Sequence, residues 1–184
     1  MTERRIETPP TENEGPQNTD QDRAEHRRDY LSVPMDQHRT EIVECVKKNP
    51  NVVIIGETGS GKTTRIPDFL IDSFPNARIA ITQPRRVAAR SVARFVAERR
   101  GEKIGQTIGY QVRFEDETNL GTRANFMTDG ILLRKLQFDP LLREYDIIMV
   151  DEAHERSLNI DFILGLLKRV QAKRNEQGLK ELKV

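Results

Sequence analysis

Val52-Val53-Ile54-Ile55-Gly56-Glu57-Thr58-Gly59-Ser60-Gly61-Lys62-Thr63-Thr64 is the stretch that decides the fold. Four consecutive β-branched apolar residues predict a short strand buried on both faces. From Gly56 onward the residues fit G-x-x-x-x-G-K-[ST], a loop whose backbone amides cradle phosphates. Glycines at 56, 59 and 61 let the chain turn tightly and come close to a ligand. The helix expected next presents its positive N-terminal end to an anion. Gly56, Glu57, Thr58, Gly59, Ser60, Gly61, Lys62, Thr63 and Thr64 are therefore the candidate nucleotide-binding residues. Lys62 is placed to reach the β/γ-phosphates and the Thr63 hydroxyl to ligate Mg²⁺. A flexible Gly/Ser loop is the competing reading; the strand before and the helix-compatible residues after it speak against that.

A second apolar run lies roughly ninety residues on. Ile147-Ile148-Met149-Val150 passes into Asp151-Glu152-Ala153-His154. A hydrophobic strand ending in acids is the metal-site carboxylate of a phosphate-loop NTPase. Asp151, held at the strand end, is the metal candidate, with Thr63 and the adjacent Glu152. Glu152 points away from Asp151 and is the catalytic candidate that orients or deprotonates the attacking water. Two acids after a strand are also ordinary surface chemistry, and only the upstream loop favours catalysis. His154 has just His26 and His38 as fellow histidines. It is read as a coupling residue near the γ-phosphate rather than a metal ligand.

The 184 residues suffice for one domain with its own core. A charged fraction of 32% and the lack of any apolar run of membrane-spanning length predict a soluble protein, not a membrane one. With no secretory signal at Met1–Arg5 and one cysteine, Cys45, no intrachain disulfide is expected. Cys45 is read as a packing residue and the cytoplasm as the site of action, with the nucleus as alternative. A net charge of +1 means that any nucleic-acid contact must come from a local patch.

Residues 1–30 are polar, carry Pro9, Pro10 and Pro16, and are expected to be disordered. Met35, Ile42, Val43 and Val46 recur at helical spacing up to Asn49-Pro50. Ile66, Phe69, Leu70 and Phe74 predict the helix after the phosphate loop, and Ile79–Thr82 a buried strand. A long helix opens at Pro84, with Ala88, Val92, Phe95 and Val96 as its core face. Residues 107–114 and 124–128 read as strands, Glu115-Asp116-Glu117 as a charged turn and 131–136 as helix. The last helix buries Ile163, Leu166, Leu167 and Val170 and turns Lys168, Arg169, Lys173 and Arg174 outward. Leu182-Lys183-Val184 looks like a strand at its start. Strands alternating with helices predict an α/β fold with a mostly parallel sheet.

Gln83-Pro84-Arg85-Arg86 stands where a strand gives way to a helix, the edge at which open α/β sheets bind ligands. A helix N-terminus disfavours cations, so Arg85 and Arg86 there suit the phosphates of a chain-like polyanion. Thr128 ends another strand and is either a ligand for sugar or phosphate or an ordinary helix cap.

Taken together, Gly56–Thr64, Thr82-Gln83-Pro84-Arg85-Arg86-Val87-Ala88-Ala89, Thr128-Asp129-Gly130-Ile131-Leu132-Leu133-Arg134 and Asp151-Glu152-Ala153-His154-Glu155-Arg156 resemble the blocks of the DEAH-box helicases, in family order, over about residues 31–184. Gly109–Glu115 is similar to the segment before the family's RNA-contacting turn. The resemblance implies a P-loop NTPase of RecA-like three-layer architecture that binds ATP, with Mg²⁺ as cofactor, and single-stranded or structured RNA. It implies that Lys62, Thr63, Asp151 and Glu152 serve the nucleotide and metal, that Arg85, Arg86, Arg113 and Thr128 contact RNA, and that His154 links to the next domain. Where relatives carry a base-stacking arginine this chain has Phe95, whose spacing with Val92 and Ala88 favours a core role. The family's Ser-Ala-Thr block and second RecA-like domain, with its arginine fingers worth about 10³–10⁵ in rate, are not in this sequence. The domain is expected to be incomplete at its C-terminus, to hydrolyse ATP slowly alone and to unwind nothing; a protein activator is left open. A stand-alone nucleotide-dependent RNA-binding module and another nucleic-acid-dependent P-loop ATPase, such as a DNA motor, are the alternatives.

Overall fold

The computed structural model describes residues 34–184, and the polar segment expected to be disordered lies outside the described residues. Ile79–Gln83 forms β1, in which every residue is buried. That is the signature of a parallel strand with neighbours on both sides and helices on both faces. Ile108–Val112 is β2, Glu115–Glu117 β3, Ala124–Thr128 β4 and Ile147–Val150 β5. The five strands lie in the order β3-β2-β4-β1-β5. All neighbours are parallel except β2 and β3.

Alternation along these strands splits the core in two. Ile79, Ile81, Phe126 and Ile147 point to one face, where Arg39–Lys48 (α1), Lys62–Ser73 (α2) and Arg86–Arg99 (α3) contribute Val43, Ile66, Phe69, Ala89 and Val96. Ala80, Met127 and Ile148 point to the other, against Leu132 of Asp129–Phe138 (α4) and Ile163 and Leu167 of Leu158–Glu176 (α5). The result is the expected RecA-like three-layer α/β sandwich. A 3-10 turn, Pro34–His38, precedes α1 and buries Met35.

Five expectations are corrected. Val52–Ile55 forms neither helix nor strand and joins no ladder: Val53 is 87% and Ile55 92% exposed, while Val52 and Ile54 pack on the α1–α3 side. Only its beginning is paired, Val52 N–H donating to the Val184 carbonyl at 2.9 Å and Val184 N–H to that of Pro50 at 2.8 Å. Lys183 in turn bridges Ile147. A run of apolar residues is buried on both faces only where strands flank it along its length.

The core face of α3 is Ala89, Ala93, Val96 and Ala97, one position on from that expected; Phe95 is 45% exposed. Small alanines let α3 lie close on β2 and β4, which outweighs side-chain size. Glu115–Glu117 is an edge strand rather than a turn, pairing Val112 with Glu115 and Tyr110 with Glu117. Gly109 permits that pairing, since a Cβ there would sit 2.5 Å from the Glu117 carbonyl oxygen. Arg174 is buried, donating to the carbonyls of Leu141, Leu142 and Tyr145 at 2.9, 2.7 and 2.9 Å. It closes the loop that leads into β5, a demand that helical spacing does not reveal. Cys45 is exposed on α1.

Candidate functional site

Because β2, β4, β1 and β5 run parallel, their carboxyl ends share one edge, and the register places Thr128 beside Gln83. With about 4.8 Å between strands, the ends of β2 and β5 are roughly 14 Å apart. Arg113 follows β2, Asp129 follows β4, Arg85 and Arg86 follow β1, and Asp151 follows β5. Arg113 after β2 and Arg85 and Arg86 after β1 thus lie on one side of Asp151, which follows β5 at the far end of the row.

The phosphate loop is shaped by its glycines. Gly59 and Gly61 have φ of 81° and 95°, where a side chain would be strained. Gly61 is the residue before α2, and no side chain caps that helix, so its first amides point into the loop. The Ser60 hydroxyl is buried without a hydrogen-bond partner. Lys62 Nζ donates to the carbonyls of Gly56 and Glu57 at 2.6 and 2.7 Å, which holds a cation inside the loop. Thr63 is half-buried in the first turn, and the Thr64 hydroxyl donates to the Gly61 carbonyl at 3.3 Å. Met35 N–H donates to the Ser60 carbonyl at 3.1 Å, and Arg65 pairs with Asp36, so the Pro34–His38 turn clamps the loop from behind. Uncapped amides, a lone hydroxyl and an ammonium form a donor set complementary to phosphate oxygens.

Asp151, directly after β5, is 6% exposed. Its Oδ2 accepts from Gln83 Nε2 at 2.5 Å and its Oδ1 from the Glu152 amide at 2.9 Å, so the carboxylate is fixed from two sides. Glu152 and Arg156 bracket the next turn, Ala153–Glu155, with left-handed φ of 52° and 47°. Such values cost about 1–3 kcal/mol each in a non-glycine residue and recur at functional loops. His154 Nε2 lies 3.3 Å from Glu152 Oε2, with the histidine largely in solvent. Ser157 ends the loop by accepting from the Ile160 amide at 3.2 Å, which starts α5.

The cationic candidates are also assembled. Arg86 Nη2 donates to the Arg113 carbonyl at 2.9 Å and lies 3.8 Å from Glu115. Arg85 is exposed and reaches across to Glu155 Oε1 at 3.8 Å. Thr128 stands at the start of α4 without capping it. Behind it, burial pushes the Asp129 carboxyl above the ordinary aspartate range, against the Thr82 hydroxyl, which lowers it. Among the described residues, no three or more His, Cys, Asp or Glu side chains gather to hold a metal ion by themselves.

Sequence reasoning placed Arg85, Arg86, Thr128 and Asp151 at strand ends, and the structure sets these along one edge of the sheet together with Arg113. It missed Gln83 as the partner of Asp151 and Glu155 as that of Arg85. Gln83 is a polar residue at the end of a strand that opens with three apolar residues, a signal that was present; the Glu155 contact is purely tertiary.

Residues 36–178 match the model of the family described as DEAD/DEAH box helicase. The chain is 49% identical over 155 residues to ATP-dependent RNA helicase DHX33 of Drosophila melanogaster, covering 83% of this chain and 22% of that protein. It is 46% identical over 156 residues to pre-mRNA-splicing factor ATP-dependent RNA helicase DEAH10 of Arabidopsis thaliana, covering 83% and 21%. It is 47% identical over 145 residues to ATP-dependent RNA helicase HrpA of Escherichia coli, covering 78% and 11%. The chain thus spans about a fifth or less of the length of these relatives.

Proposed function

Because the chain belongs to the DEAD/DEAH box helicase family, we propose that it is the ATP-binding motor domain of an RNA helicase, coupling ATP hydrolysis to RNA remodelling when joined to a second RecA-like domain. The end of β1 carries this reading. Gln83 holds Asp151 on the nucleotide side, and two residues on Arg85 holds Glu155 from the polyanion side. One strand end therefore touches both groups of residues.

In this reading Lys62 and the amides of the Gly56–Thr64 loop bind and orient the β/γ-phosphates of ATP. Thr63 and Asp151 would hold Mg²⁺, which when bound neutralises phosphate charge; a hydroxyl and one carboxylate suit an ion that takes its other ligands from phosphates and water. Glu152 takes the proton of the attacking water or orients it, and His154, in contact with Glu152, transmits the state of the site to the neighbouring domain. Arg85, Arg86, Arg113 and Thr128 contact the RNA backbone. A phosphate that draws Arg85 away from Glu155 would alter the turn carrying Glu152 and His154, which is a physical route from RNA to hydrolysis.

The test is titration of this chain with a fluorescent ATP analogue, with and without single-stranded RNA, alongside ATPase assays of the longer protein. RNA should tighten nucleotide binding or raise turnover, and Glu152→Gln should abolish turnover while sparing binding. ATPase activity indifferent to RNA would refute the reading, and a preference for DNA of the same sequence would point to a DNA motor.

A further inference from the structure

The turn between β2 and β3 is not built as turns usually are. Val112 pairs with Glu115, so Arg113 and Phe114 alone close the hairpin. Phe114 has a φ of 72°, and the second position of such a turn at positive φ normally takes Gly or Asn, because a Cβ crowds the backbone there. The ring recovers nothing from the core, being 87% exposed. It meets the Arg113 guanidinium, 4.8 Å from the ring centroid. Folding therefore does not account for a strained aromatic residue held in water.

Its surroundings do. The Arg113 carbonyl is fixed by Arg86, which sets the turn against the start of α3. The acids of β3 nearest the turn are already engaged. Glu115 faces Arg86 and Arg90 and accepts from the Tyr110 hydroxyl, and Asp116 accepts from Gln111 and Thr118. Arg113 joins no ion pair among the described residues. An exposed ring beside Arg113, which pairs with no carboxylate among the described residues, at the edge that carries Arg85 and Thr128, is a combination that holds unpaired nucleic acid: cations track the phosphates and the free face of the ring stacks on a base. A duplex buries its base faces in its own stack and offers the ring nothing.

We propose that Phe114 is a stacking step for one unpaired nucleobase, and that this ring, rather than the arginines, sets a preference for single-stranded over duplex RNA. The proposal rests on the RNA-binding reading above. The test measures, by anisotropy, the affinity of this chain for a labelled single strand and for a duplex of the same length, with 2-aminopurine in the strand to report stacking. In Phe114→Ala the single strand should bind about tenfold more weakly with duplex affinity unchanged, and 2-aminopurine quenching should be lost. Phe114→Tyr should retain both affinity and quenching. Phe114→Gly should unfold at a higher temperature than wild type yet bind the single strand as weakly as Phe114→Ala, separating the ring's role from any folding defect. Loss shared equally by single strand and duplex would overturn the proposal. So would unchanged RNA binding in Phe114→Ala while Arg85→Ala still weakens it; the RNA reading would then stand, and the ring would be a docking point for protein. Failure of the wild-type chain to bind RNA at all would overturn both.

Discussion

Val52–Ile55 and Ile147–Val150 are near twins in sequence, each four apolar residues handing the chain to one half of the site, yet the protein holds them in opposite ways. The second is β5, laddered to β1 through four consecutive pairs, with Ile148 fully buried. The first is secured at its start by two hydrogen bonds to Val184 and leaves Val53 and Ile55 in solvent. The acids are therefore rigid because the sheet holds them. The phosphate loop is held from the other side, through the helix it opens. Asp68 of α2 pairs with Arg99 at 2.8 Å and Arg100 at 3.5 Å, and Asp72 with Arg39 and Arg100 at 3.0 Å each. Arg65 and Asp36 complete the clamp. One half of the site is fixed by a backbone ladder and the other by a cluster of ion pairs between helices.

The contrast is broken most directly by placing the same charge in both runs. Ile148→Asp should destabilise the chain by more than about 4 kcal/mol in urea unfolding, because it buries an unpaired carboxylate. If Val53→Asp cost as much, the two runs would be held alike after all. Next in size is Arg174→Met, which strips the donor from three carbonyls in the loop entering β5. It should cost about 3 kcal/mol and lower the affinity for nucleotide less than the stability, which calorimetry and a binding titration would show.

A smaller effect probes the ion-pair side. Burial pushes the Asp68 carboxyl up to about 6 from the usual 3.8, against the pull of Arg100, which lowers it. A carboxyl that binds its proton more tightly when folded gains stability as pH falls, here between about 7 and 4. Wild type should therefore gain about 1 kcal/mol over Asp68→Asn between pH 7 and pH 5, read as the difference in their urea midpoints. A gap that moved the other way would mean that the ion pairs to Arg99 and Arg100 outweigh burial. Smallest of all, Val53→Thr should change stability by no more than about 0.5 kcal/mol.

Much of this was legible in the residues. Gly56–Thr64 carries its conformation in its own glycines and its chemistry in its own lysine and hydroxyls, so spacing alone identifies it. β1 and β5 were legible because strands covered on both faces need runs of apolar residues, here residues 79–81 and Ile147–Val150. Phe95 and Arg174 were misread for one reason: helical periodicity shows that a helix has a face but not which neighbour that face meets. Ala89 and Ala93 face the sheet because β2 and β4 come close, and Arg174 turns inward because three carbonyls of a distant loop need a donor. Glu115–Glu117 was misread because an edge strand can be wholly charged when only one side is paired.

By itself, then, the sequence determined the architecture, the phosphate loop, the two acids and the arginines opposite them, since each is written in residues adjacent along the chain. Tertiary structure alone decided which apolar run became a laddered strand, that Gln83 would orient Asp151, that Arg85 would reach Glu155, and that Phe114 would stand strained and open beside Arg113. Those outcomes depend on which strands and helices become neighbours. Pairing and burial between segments distant along the chain follow from the packing of the whole sheet, and no local pattern encodes them.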